Sequence, residues 1–122
     1  DREQMKRVFI NLLDNAVASI TERGEVEIET MFNPLLQLAR VELRDNGHGI
    51  PPHVRERLFE PYYSTKPHGT GLGLTIVSRI IADHYGYIRV DDNPPRGTRF
   101  VIELPVILAE RTVSPGEHAK TM

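Results

Sequence analysis

Two carboxamides four residues apart, Asn11 and Asn15, share one face of any helix that holds them. A carboxamide oxygen is a neutral, hard donor, suited to a magnesium ion that already carries phosphate oxygens. Taken alone, such a pair is more often helix-surface polarity or a capped buried amide. Asp45-Asn46-Gly47-His48-Gly49 sets an acid ahead of two alternate glycines, directly after an apolar strand pattern. An aspartate at a strand end accepts a hydrogen bond from an exocyclic amine such as adenine's, and Gly47 and Gly49 let the backbone pass close to a flat base. Alone, an Asp/Asn/Gly cluster is more often a plain turn. Gly69-Thr70-Gly71-Leu72-Gly73-Leu74 places three alternate glycines before an apolar helical pattern. Amides exposed there cradle phosphate at a helix N-terminus, and the glycines give a loop hinge freedom to close over a nucleotide. Lys66 just upstream is a mobile point charge for a terminal phosphate or, by itself, a solvated surface lysine.

These residues need elements to position them. Asp1 suits a helix N-cap, with Gln4 where a capping box wants an amide. Met5, Val8, Phe9, Leu12, Leu13, Ala16, Val17 and Ile20 then repeat at helical spacing, and Gly24 ends that region. Residues 25–29 alternate as a half-buried strand does, Asn33-Pro34 reads as a turn, and residues 36–43 read as a second strand with a bulge expected near Ala39-Arg40. Residues 45–52 form a loop, Pro52 opens a short helix to about Phe59, and residues 60–70 read as a long functional loop. A second long helix runs from Leu72 to His84 and is ended by Gly86. Residues 87–90 and 98–104 form a hairpin around Asn93-Pro94-Pro95-Arg96-Gly97. The fold expected is α+β, with a mixed, mostly antiparallel sheet and about three helices on one face.

The chain has 122 residues, 39% hydrophobic and 26% charged, which suits one domain with its own core. Net charge is −2, so nothing favours nucleic acid as a partner. The absence of cysteine excludes disulfides, thiolate metal sites and a cysteine nucleophile. The first residues already read as a helix start, so a piece of a longer protein is expected. The apolar pattern stops after about residue 107, and residues 108–122 are expected to form a disordered tail.

Four boxes in order resemble the catalytic, ATP-binding domain of bacterial sensor histidine kinases, the Bergerat or GHKL nucleotide-binding fold, over residues 1–107. Asn11-Leu12-Leu13-Asp14-Asn15-Ala16 is similar to the N box, and Asp45-Asn46-Gly47-His48-Gly49-Ile50 to the G1 box. Leu58-Phe59-Glu60-Pro61-Tyr62-Tyr63 is similar to the F box, and residues 69–74 to the G2 box. Pro61 and Ser64-Thr65-Lys66 make it most similar to the nitrogen-regulation type.

The resemblance implies a two-layer sandwich that binds ATP and Mg2+. Asn15 would ligate the metal, and Asn11 would approach the phosphates or a metal-bound water. Asp45 would read the adenine amino group, between walls formed by Gly47 and Gly49. Lys66 and the segment Gly69, Thr70, Gly71, Leu72, Gly73 and Leu74 would hold the β- and γ-phosphates. Phe59 would anchor the loop into the core, and Tyr62 and Tyr63 would cover the base or pack. ATP-hydrolysing relatives carry a glutamate base one turn before the metal asparagine. Here that position is Asn11, a poor proton acceptor near neutral pH, which favours a kinase over a hydrolase. Ala18 and Ser19 stand where many histidine kinases carry a lysine and an aromatic residue.

None of His48, His53, His68, His84 and His118 has a phosphoacceptor setting. The acceptor histidine is therefore expected on a separate dimerisation domain, with a response-regulator receiver domain as onward partner. A monomeric fragment and a cytoplasmic location are implied, with membrane anchoring of the parent left open. Alternatives within the fold are an anti-sigma-factor-type serine kinase and a non-catalytic nucleotide-sensing module.

Overall fold

A computed structural model describes residues 1–20, 23–60 and 73–106. Helix α1 (Arg2–Ser19) opens where expected: the Asp1 carboxylate accepts from the amides of Glu3 (2.8 Å) and Gln4 (3.2 Å). It stops five residues short of Gly24, because Ile20 turns into extended backbone. Strands β1 (Val26–Asn33) and β2 (Leu38–Asp45) form the first hairpin. The short helix α2 (Pro52–Arg55) and helix α3 (Gly73–Asp83) follow, then the hairpin of β3 (Tyr87–Asp92) and β4 (Thr98–Pro105).

The four strands lie in the order β1-β2-β4-β3, all antiparallel, so no parallel pair is found among the described residues. The bulge expected near Ala39-Arg40 is absent. Pairing runs unbroken from Val26 opposite Asp45 to Asn33 opposite Leu38. The expectation took its phase from Leu36 and Leu38: Leu36 lies exposed in the turn, and Leu38, the first residue of β2, falls on the face opposite Val41 and Leu43. From Ala39 onward, Val41, Leu43 and Asp45 fall on one face by the two-residue period.

That face meets the helices. Val8, Leu12 and Ala16 of α1, Val77, Ile80 and Ile81 of α3, and Leu43, Phe100 and Ile102 of the sheet form the buried core. Leu58 and Phe59 pack against it, and the Thr75 hydroxyl donates to the Phe59 carbonyl (2.9 Å), tying α3 to that segment. The opposite face is charged. Glu42, only 6% exposed, takes Arg40 on Oε2 and Arg44 on Oε1, each at 2.7 Å. Burial alone would raise its pKa, but the hydrogen bonds and charges of Arg40 and Arg44, with Arg99, hold it below the ordinary value. Asp91 is likewise lowered, first by Arg89 (2.9 Å) and then by Arg99 (3.2 Å), against the opposing effect of burial.

Helix α3 ends in a Schellman arrangement: the Gly86 amide donates to Ile81 (2.8 Å) and the Tyr85 amide to Ala82 (2.9 Å). The left-handed residue is Tyr85 (φ 62°), not the glycine. Gly86 serves packing instead, since a Cβ there would meet the Glu103 carbonyl oxygen at 2.7 Å. Among the described residues no helix is long and apolar enough to cross a membrane.

Candidate functional site

The residues Asn11, Asn15 and Ser19 fall at i, i+4 and i+8 of α1, one turn apart each, beside the buried stripe Val8, Leu12 and Ala16. Eight residues of helix rise about 12 Å, the scale of a nucleoside triphosphate. At one end the Asn11 Nδ2 donates to the carbonyl of Gly73, the first residue of α3 (3.2 Å). In the middle the Asn15 Nδ2 donates to the Asn11 backbone carbonyl (3.3 Å). That bond sets the nitrogen end of the carboxamide toward the helix backbone.

At the other end stands Asp45, 3% exposed on the helix-facing side of β2. Its Oδ1 accepts from the Gly47 amide (2.8 Å), the Thr98 amide (3.3 Å) and the Ser19 hydroxyl (3.3 Å). A buried carboxylate is tolerable only with such donors. The loop behind it is held on three sides. The His48 amide donates to the Ser19 carbonyl (3.2 Å), the Asn93 side chain to the Asp45 carbonyl (2.8 Å), and the Arg96 Nε to the Gly47 carbonyl (3.0 Å). A Cβ on Gly47 would sit 2.5 Å from the Ser19 carbonyl oxygen, so close approach demands glycine. Gly49 takes φ 82°.

The structure thus brings Asn11, Asn15, Asp45, Gly47 and Gly73 to the ends and flank of one helix face, whereas Gly49, further along the same loop, faces the Gly97 carbonyl and lines a cavity with His48 and Asn93. Leu74 packs against the core. Lys66, Gly69, Thr70, Gly71 and Leu72 lie outside the described residues, as do Tyr62, Tyr63 and the expected tail. A separate cavity of about 430 Å³, lined by His48, Ile50, Pro51, Asp92, Asn93 and Arg96 among others, includes none of Asn11, Asn15 and Asp45. Two neighbours of the site escaped sequence reading, and a third, Ser19, was noted only as a departure from the family pattern and not as a donor to Asp45. Asn93 and Arg96 are nearly fifty residues from the backbone they hold, so no local pattern marks them. Ser19 did carry a signal, the four-residue step from Asn15.

Comparisons with known proteins bear on the family and the fold. The family described as "Histidine kinase-, DNA gyrase B-, and HSP90-like ATPase" matches residues 1–108. Sporulation kinase A of Bacillus subtilis is 44% identical over 105 residues, covering 86% of this chain and 17% of that protein. The sensory histidine kinase/phosphatase NtrB of Rhodobacter capsulatus is 40% identical over 117 residues, covering 87% and 33%. The solved mycobacterial sensor histidine kinase MprB superposes with a TM-score of 0.78 at 34% identity, covering 86% of this chain and 74% of that one. The chain therefore spans a sixth to a third of the length of these two curated relatives.

Proposed function

The chain belongs to the histidine kinase-, DNA gyrase B- and HSP90-like ATPase family, and on that footing we propose that it serves as the ATP-binding catalytic domain of a two-component sensor histidine kinase. The observation that carries the reading is the single helix face on which Asn11 and Asn15 lie between Gly73 and Asp45. Asp45 accepts the adenine amino group, and Gly47 and Gly49 wall the base. Asn15 offers its carboxamide oxygen to magnesium, which neutralises phosphate charge when bound. Asn11 lies beside the phosphates. Lys66 and residues 69–74 are assigned to the phosphates by their sequence pattern.

With no carboxylate at position 11, no side chain there draws a proton from water. The γ-phosphoryl group waits for a histidine nitrogen on a dimerisation domain outside this chain. That nitrogen attacks phosphorus in line, the bond to the bridging oxygen breaks, and ADP leaves. A response-regulator receiver domain takes the phosphoryl group onward. The location proposed is cytoplasmic. Within the family, Pro61 and Ser64-Thr65-Lys66 favour the nitrogen-regulation type, although sporulation kinase A matches as well as NtrB does.

Calorimetric titration with Mg-ATP tests the reading. Binding is expected, and Asp45→Asn is expected to weaken it by about 1–3 kcal/mol through loss of a buried hydrogen bond. No heat from Mg-ATP or its unhydrolysable analogues would overturn the proposal.

A further inference from the structure

We propose that Ser19 is a positioning residue for base recognition: its hydroxyl fixes the Asp45 carboxylate so that one oxygen stays turned to the nucleotide. The inference rests on the reading of Asp45 as acceptor for the adenine amino group. All three donors to Asp45 converge on Oδ1, and among the described residues none donates to Oδ2. A carboxylate held by one oxygen presents the other to an incoming amine. Two of the donors, Gly47 and Thr98, are backbone amides and cannot be varied by side-chain substitution. Ser19 supplies the third from a different element, the last residue of α1.

Its hydroxyl lies 2.9 Å from the Ala16 carbonyl and 3.3 Å from Asp45 Oδ1. One hydroxyl proton is shared between the two, with the Ala16 carbonyl at the shorter distance and the Asp45 carboxylate the acceptor that links α1 to the loop. Ser19 also takes the His48 amide on its own carbonyl (3.2 Å). A Cβ at Gly47 would come within 2.2 Å of the Ser19 hydroxyl oxygen, so the side chain is packed directly on the loop. Ser19 therefore joins the helix that carries Asn11 and Asn15 to the loop that carries Asp45, and sets the distance between the two ends of the site.

The test compares two ligands on two proteins. ATP and purine riboside triphosphate, which has hydrogen in place of the 6-amino group, are titrated with magnesium into the wild-type chain and into Ser19→Ala. Ser19→Ala is expected to weaken ATP by about three- to tenfold, the scale of one lost hydrogen bond, and to change the analogue less than about twofold. A general loosening of the α1 end would weaken both ligands alike, and equal losses overturn the proposal. So does an unchanged ATP affinity. If the wild-type chain itself fails to prefer ATP over the analogue, the reading of Asp45 falls first and takes Ser19 with it.

Discussion

Replacing Gly97 by alanine tests whether the β3–β4 turn holds the acidic loop rigidly. Gly97 has φ 121°, where L side chains are strained, a cost of about 1–3 kcal/mol. A Cβ there would also meet the Asp45 carbonyl oxygen at 1.9 Å, its carbon at 2.7 Å and the Asn46 Cα at 2.9 Å. All three are backbone atoms, so no rotamer relieves the clash, and overpacking of this kind costs about 1–3 kcal/mol more. The expected loss is on the order of 3 kcal/mol or more, a large part of a typical domain's stability. For a chain of this size that is a fall of roughly 10–20 °C in Tm, read by circular dichroism. Gly49→Ala is the control. It has a similar strain at φ 82°, but its nearest neighbour is the Gly97 carbonyl oxygen at an ordinary 3.5 Å, so about 1 kcal/mol is expected. Because Thr98 follows Gly97 and donates to Asp45 Oδ1, Gly97→Ala should also weaken Mg-ATP. If Gly97→Ala melts no lower than Gly49→Ala, the contact yields easily and the turn does not brace the loop.

Gly73→Ala should separate function from fold: among the described residues a Cβ there meets nothing within 4 Å, and alanine favours helix over glycine by about 0.5–1 kcal/mol in a helix interior. Its Tm should hold or rise, while calorimetry should show Mg-ATP weakened at least about threefold if phosphate needs the bare backbone. Tyr85→Gly should stabilise by about 0.5–1 kcal/mol in thermal melts, since Tyr85 is left-handed and 88% exposed with little packing to lose. Stability should fall in acid. Glu42 and Asp91 are depressed from ordinary values of 4.5 and 3.8, so their contribution is complete above those values and is lost as pH drops through the lower folded ones. Glu42→Gln should therefore be less stable than wild type at pH 7, with the gap narrowing in urea titrations as pH falls below the ordinary 4.5. A gap that does not narrow as the protein is acidified would refute the assignment.

Much of this fold was legible because local chemistry decided it. The Asp1 cap, the apolar spacing of α1 and α3, and the proline at the start of α2 each act within a turn of chain. The errors also have local causes. Gly86 does close α3, as its sequence position implied, but the left-handed φ falls on Tyr85, and Gly86 is packed against Glu103 and Leu104. Alternation in β2 looked broken because Leu36 belongs to the turn, where the Asn33 side chain caps the amides of Leu35 and Leu36, and because an apolar Leu38 opens the strand on the face opposite Val41 and Leu43. Site residues with chemically distinctive side chains could be singled out in advance. Those that hold the acidic loop in place, Asn93, Arg96 and Thr98, could not, because an ordinary polar residue gains its role only when the hairpin folds back on it. Ser19 was legible as a departure from the family pattern but not as a donor, since Asp45 is twenty-six residues away.

Asn11 joins the structural and chemical sides of the proposal. Its amide nitrogen donates to the Gly73 carbonyl, the one side-chain bond recorded between α1 and the start of α3 among the described residues. A glutamate in its place has no hydrogen to give. Near neutral pH it would set a second acceptor against that carbonyl, and an unpaired buried acceptor costs about 1–3 kcal/mol. On the proposed reading, the asparagine that withholds a general base from water is thus also the residue that ties α1 to the start of α3. A donor serves there where a base does not: the amide stays neutral as phosphate charge builds, and its bond to Gly73 holds the α3 N-terminus in register with Asn15. Under that proposal, both the absence of water activation and the alignment of the helix start follow from one side-chain choice.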